Sequence, residues 1–323
     1  MHRSVCLVLG LAACEPTAAA PEGTPESRPG PHAEAQRSGS VRNAPESPAP
    51  PLIQAMDEDG MAPLVEATIA DVGPPQGEAG EDGRFIGMAG ALTLQLETPG
   101  GVLEVRLAEI DTPVPAETEA WLADRLAGQS LALTYSGLRR DRYARALAHV
   151  SVSPTATGSG GAGAAPVWIQ ARLVAAGLAR VMSHADNQAH AAVLLRLEAE
   201  AREGRRGLWQ DPAHGIRDTN PDARAQDIGS AQIVAGRVTD AVQLDSGRIY
   251  LNFGSDYRSD FTVRIDAGDS QAFLDADLGP EALLGRRVRV RGWLVEENGP
   301  MIRLDHIARL EVLEDNPADA RPR

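Results

Sequence analysis

Val102-Leu103-Glu104-Val105-Arg106-Leu107-Ala108-Glu109-Ile110-Asp111-Thr112-Pro113 reads as a strand that runs into a polar turn, and the rest of the first half arranges itself around it. Upstream, residues 91–97 (ALTLQLE) form a second strand candidate joined to it by Pro99-Gly100-Gly101, and the loosely alternating run at 64–72, closed by Gly73-Pro74-Pro75, is a third. Downstream, residues 118–127 carry Trp121, Leu122 and Leu126 at helical spacing, and strands are expected at 130–135 and 143–152. A loop, SPTATGSGGAGAAP, then precedes helical segments at 167–179 and 188–203. Three strands, a helix, two strands and two helices predict a mainly β chain with helices (α+β), built on a small five-stranded barrel over residues 62–215.

A polar linker at 216–230 leads to a second region, 231–314, with strand candidates at 233–242, 248–253, 261–265, 287–295 and 301–313 and a helical interruption near 270–284. A second small barrel is expected there, followed by a disordered tail at 315–323. Arg287, Arg289 and Arg291 alternate with Val288 and Val290, which puts three guanidiniums on one strand face. Beside Tyr250, Phe253 and Trp293, Arg289 and Arg291 are candidate substrate-binding residues for single-stranded nucleic acid, arginines taking phosphates and rings stacking bases. The alternative is a solvated face balanced by nearby acids, with the aromatics in the core.

The 323 residues suffice for two domains, each with its own core. Every Lys/Arg cation is arginine, and the net charge of -14 excludes a protein that coats nucleic acid through a basic excess, while leaving room for a local basic site. Cys6 and Cys14 both precede the expected barrels, so no disulfide can staple them. Met1-His2-Arg3 and the short apolar run at 4–13 read as a signal. Leu11-Ala12-Ala13-Cys14 resembles a bacterial lipobox, which implies removal of residues 1–13, lipidation of Cys14 and a Pro/Ala-rich tether over 14–61. The implied location is the bacterial cell envelope, extracytoplasmic and lipid-anchored, with membrane as one partner and any protein partner unknown.

Four segments occur in order: Val105 to Pro113 (VRLAEIDTP), then Asp141-Arg142-Tyr143-Ala144-Arg145-Ala146-Leu147-Ala148, then Gly177-Leu178-Ala179-Arg180-Val181, then Arg206-Gly207-Leu208-Trp209. Together they resemble the thermonuclease, or staphylococcal nuclease-like, family. The resemblance implies an OB-fold barrel and calcium-dependent phosphodiester hydrolysis, with nucleic acid or nucleotide phosphates as partner. It assigns catalytic, phosphate-gripping roles to Arg106 and Arg145, a calcium-ligand role to Asp111 and a site-flanking, substrate-binding role to Tyr143. The second region resembles an OB-like module attached to some bacterial relatives. Forked guanidiniums and a divalent cation are the groups such chemistry needs, because negative charge gathers on phosphorus in the transition state.

The departures are as informative. The family's water-activating glutamate follows Asp-Thr-Pro, where this chain has Val114, and an alkyl group accepts no proton. The turn that supplies a second calcium carboxylate aligns with Met88-Ala89-Gly90-Ala91, which has none. Residues 73–85 read as an insertion whose Glu78, Glu81 and Asp82 either swing toward Asp111 or occupy a mobile surface loop; Glu117 and Glu119 either replace the base or simply open an acidic helix. Met182-Ser183-His184 stands where the family has base-stacking tyrosines. Two readings follow: a tethered thermonuclease-like protein that binds phosphodiesters with weak or absent cleavage, or a noncatalytic envelope protein that binds or scaffolds through two barrels.

Overall fold

A computed structural model describes Val65, Ile69 and residues 71–152 and 166–314. Cys14, the whole of the expected signal and tether, the loop at 153–165 and the tail at 315–323 lie outside the described residues.

The first barrel uses β1 (Glu78–Gly90), β2 (Thr93–Thr98), β3 (Gly101–Leu107), β4 (Ile110–Asp111), α1 (Pro115–Leu126), β5 (Ser130–Tyr135) and β6 (Ala146–Val152). Its strands close a circuit β1-β2-β3-β6-β5-β1, in which only β3 and β6 run parallel. Closure leaves no long edge exposed, and Leu94, Leu96, Val105, Leu131 and Val150 fill the interior. The barrel is extended by β7 (Val167–Trp168), α2 (Ile169–Ala175), β8 (Arg180–Val181) and α3 (Ala191–Glu203), so the helices begin later than the apolar pattern suggests.

Residues 73–85 are not a mobile loop: from Glu78 they form the first half of β1, paired with both β5 and β2. The strand is hidden in sequence because bulges interrupt its register and because neighbouring side chains occupy the space a residue would need. A Cβ at Gly80 would stand 2.5 Å from the Tyr135 ring, and one at Gly83 would stand 2.9 Å from Leu96 Cβ. The strand expected over 64–72 is not seen at its described positions. Val65 and Ile69 are helical, and their four-residue spacing brings both against the barrel core.

The second barrel comprises β9 (Ala231–Arg237), β10 (Asp240–Gln243), β11 (Ile249–Asn252), β12 (Thr262–Ile265), two short helices, α5 (Ser270–Asp275) and α6 (Pro280–Leu283), β13 (Arg287–Glu296), β14 (Pro300–Leu304) and β15 (Leu310–Leu313). Counting β9 and β10 as one bent strand, the pairing order is β9/β10-β11-β12-β14-β13-β9, with β12 and β14 parallel. That is the same circuit as the first barrel, again with the helical insertion between the third and fourth strands. The intervening stretch is less free than a linker: Arg217 exchanges backbone hydrogen bonds with Ile233 and Ala235 on β9, and Asn220 caps the short helix α4 (Pro221–Ala225).

The barrels are fastened together by buried polar and apolar contacts. Arg291, on β13, is wholly buried and donates to both Glu198 carboxylate oxygens on α3, at 3.0–3.1 Å, to Val181 O at 3.1 Å and to Glu311 at 2.6 Å. Burial pulls its guanidinium toward deprotonation, but Glu198 and Glu311 outweigh that and hold its pKa above the usual arginine value. Alongside, Val114, Ala201, Leu208 and Trp209 of the first unit pack against Ile233 of β9.

Candidate phosphate-binding cleft

A cleft of about 410 Å³ opens on the first barrel between the end of β3 and the turn before β6, and Arg106, Arg140, Arg142 and Arg145 border it. Arg106 is placed by strand register: it pairs with Thr93 across β2 and β3, and its guanidinium donates weakly to Leu92 O at 3.4 Å and Ile110 O at 3.3 Å. Asp111 approaches it at 3.9 Å. Burial, the largest influence, lowers the Arg106 pKa; Asp111 opposes this, and Arg145 adds to it. A guanidinium half-withdrawn from water beside a second one is completed by an anion.

Arg145 arrives from a turn built by Asp141. One Asp141 oxygen accepts from the backbone N–H of Tyr143 and Arg145, the other takes Arg145 Nε at 2.8 Å, and Ala144 turns the chain in a left-handed conformation at φ 63°. The remaining Arg145 nitrogen reaches Thr93 Oγ1 at 3.3 Å, next to Arg106. Arg106 and Arg145 therefore converge through the same β2 residue. Tyr143, 62 % exposed, borders the cleft with Arg142 and Arg145 against its ring at 4.8 and 5.1 Å. The strand expected from Tyr143 begins only at Ala146, because residues 141–145 are spent on this turn.

The acidic half of the expected site is not assembled. Glu78 pairs with Arg139 at 2.7 Å, and Glu81 accepts from Tyr135 Oη at 2.6 Å and from Arg140 at 2.7 Å. The Tyr135 hydrogen bond is the largest influence holding the Glu81 pKa at about 2, so this carboxylate is ionised and engaged. Asp111, on β4, pairs in register with Arg180 on β8 and faces Arg106. Glu117 and Glu119 lie on α1 and do not border the cleft. Calcium needs several oxygen ligands, and Asp111 with arginine neighbours does not supply them. Val114 is 4 % exposed and belongs to the contact between the barrels.

Arg291 and Arg289 are corrected as substrate-binding residues. Arg291 is sealed between the barrels, and Arg289 is mostly buried against Glu311 at 3.0 Å. Alternation identified their shared strand face, but the neighbouring unit covers it. Of the aromatics grouped with them, Phe253 is in the core and Trp293 is exposed.

One cluster had no signal in the sequence. Glu109, held in a left-handed conformation at φ 62°, sends a buried carboxylate to His149 Nε2 at 3.2 Å and to the backbone N–H of His190 at 3.1 Å, with His190 Nδ1 at 3.4 Å. Their candidate ligand atoms lie within 4.8 Å of one another, which makes this the group able to hold a metal ion among the described residues. Its donors are not calcium's oxygen set. Gln76 N–H also donates to His190 Nε2 at 2.8 Å, so the His190 proton sits on Nδ1, facing Glu109. The cluster is read as a buried hydrogen-bond network that fixes the strand end before Asp111. The three residues lie 40 and 41 positions apart in sequence, a spacing no local motif reports.

A five-stranded barrel thus carries two convergent arginines beside Asp111 at one basic cleft. Residues 104–211 match the family model for staphylococcal nuclease homologue, so the first barrel carries a domain of that family. The match begins within β3 and takes in Arg106, Asp111, Tyr143 and Arg145. Comparison with curated proteins gives no match.

Proposed function

We propose that this protein binds the phosphodiester of nucleic acid or nucleotides at the arginine cleft and cleaves it weakly or not at all. The observation that carries the reading is the convergence of Arg106 and Arg145 at Thr93, while two of the carboxylates that line the cleft, Asp141 and Glu109, are engaged by Arg145 and by His149. Forked donors grip phosphate oxygens without a metal, whereas attack by water needs a base and, in this family, a cation. Tyr143 offers a ring beside the phosphate position for a base or sugar. With a net charge of -14 the protein as a whole repels nucleic acid, so binding is local and salt-sensitive, governed by a few contacts. Titrating a labelled single-stranded oligonucleotide tests this: Arg145→Ala is expected to weaken binding about ten-fold or more, as for loss of a charge-assisted contact. Unchanged affinity would remove the cleft as the site.

We further propose that the chain is anchored at the bacterial envelope through lipidated Cys14, supported by Leu11-Ala12-Ala13 before it and the Pro-rich stretch after it. A Cys14→Ser variant is expected in the soluble fraction of lysed cells. Full retention on membranes would contradict the anchor.

A further inference from the structure

We propose that His184 is a hydrogen-bond donor to the bound phosphate and that the second barrel sets it in that role through Arg309; this rests on the reading of the cleft as a phosphodiester site. His184 is exposed and borders the same cleft as Arg106 and Arg145. Its backbone is fixed from the first barrel: N–H and C=O both pair with Asn187, at 3.2 and 2.8 Å, and Leu138 N–H donates to Asp186 O at 3.3 Å within the same turn. Gly137 lets this turn sit close, since a Cβ there would lie 1.7 Å from Asp186 O.

From the other side, Arg309 of the second barrel donates through Nε and Nη2 to Ser183 O, at 2.9 and 2.6 Å, and Nη2 also reaches His184 Nδ1 at 3.3 Å. His306 Nε2 holds Ser183 Oγ at 2.8 Å. A guanidinium has donors only, so Nδ1 of His184 accepts and the neutral imidazole carries its proton on Nε2. Burial first, and the Arg309 charge second, lower the His184 pKa; Asp305 and Asp186 oppose them, and His306 adds to them. His184 is thereby a neutral N–H donor at pH 7, which complements phosphate oxygens without adding a cation to a cleft already bordered by four. Arg309 is a positioning residue, and the second barrel becomes a working part of the first barrel's cleft.

The test uses the full chain, a labelled single-stranded oligonucleotide and inorganic phosphate as probes. In 15N-1H spectra His184 is expected as the Nε2–H tautomer, its Nε2 signal moving on addition of phosphate. His184→Ala and His184→Phe are expected to weaken oligonucleotide binding about ten-fold, while His184→Gln, which keeps an N–H donor at similar reach, retains most of it. Arg309→Lys is expected to weaken binding and to disturb the tautomer signal while leaving the fold intact by circular dichroism. The Nδ1–H tautomer, or wild-type affinity in His184→Ala where Arg145→Ala still weakens binding, would overturn the proposal. If Arg145→Ala also binds normally, the cleft reading falls and this role falls with it.

Discussion

Arg291→Ala is expected to destabilise the protein by about 3–5 kcal/mol, the usual cost of removing one partner from a buried ion pair. The substitution strands Glu198, which is fully buried and would keep only Arg202 at 3.5 Å and the Val181 N–H at 2.7 Å. Glu311 would keep Arg289 at 3.0 Å. The damage should spread to the cleft, because Val181 belongs to β8 and β8 pairs with the two-residue strand that carries Asp111. Urea unfolding of the wild type should show both barrels melting in one transition, with the midpoint lowered in the variant. Arg291→Met combined with Glu198→Leu should recover part of the loss, since an apolar pair spares both desolvation penalties. A cost below about 1 kcal/mol would mean that the ion pair contributes little, as exposed pairs do.

Arg291 also shows where sequence reading reaches its limit. The alternation of Arg287 to Arg291 with valines correctly separated two strand faces, but nothing local to β13 says that α3, about ninety residues earlier, covers the polar one. Arg106 and Arg145 were legible for the opposite reason: each sits in a compact motif whose geometry is made locally, one by strand register with Thr93 and the other by the Asp141 turn. The two circuits were legible in outline because most of their strands alternate. β1 was not, since Gly80 and Gly83 replace the side chains that would have shown alternation. The Glu109, His149 and His190 cluster is a tertiary accident of three distant positions, invisible until the barrel closes.

Val114→Glu, which restores the residue type the family uses to activate water, is expected to damage the fold without restoring cleavage. Val114 is buried against Ala201, Leu208, Trp209 and Ile233, so a carboxylate there would be desolvated among apolar neighbours and would split the contact between the barrels. A loss of roughly 3 kcal/mol corresponds to a fall in Tm of about 10 °C for a chain of this size. The new carboxyl would titrate well above the ordinary glutamate value. Stability should therefore be better at acid pH than at neutral pH relative to the wild type. The sign follows from its pKa being raised in the folded state: the penalty is absent below the unfolded pKa and grows as pH rises through it. Val114→Ile, which keeps the apolar contact, should cost little. A stable, active Val114→Glu enzyme would show that this position opens onto the cleft.

Whether the proposed phosphate cleft turns its ligand over is decided by assaying cleavage of single-stranded DNA by the full chain, with calcium and with a chelator. The expected result is binding in both conditions and turnover that is slow and unchanged by calcium, since loss of a general base alone costs a factor of about a hundred to ten thousand. Brisk cleavage that needs calcium and is abolished by Asp111→Ala would show the opposite, because it would require oxygen ligands around Asp111 where the structure places Arg106 and Arg180.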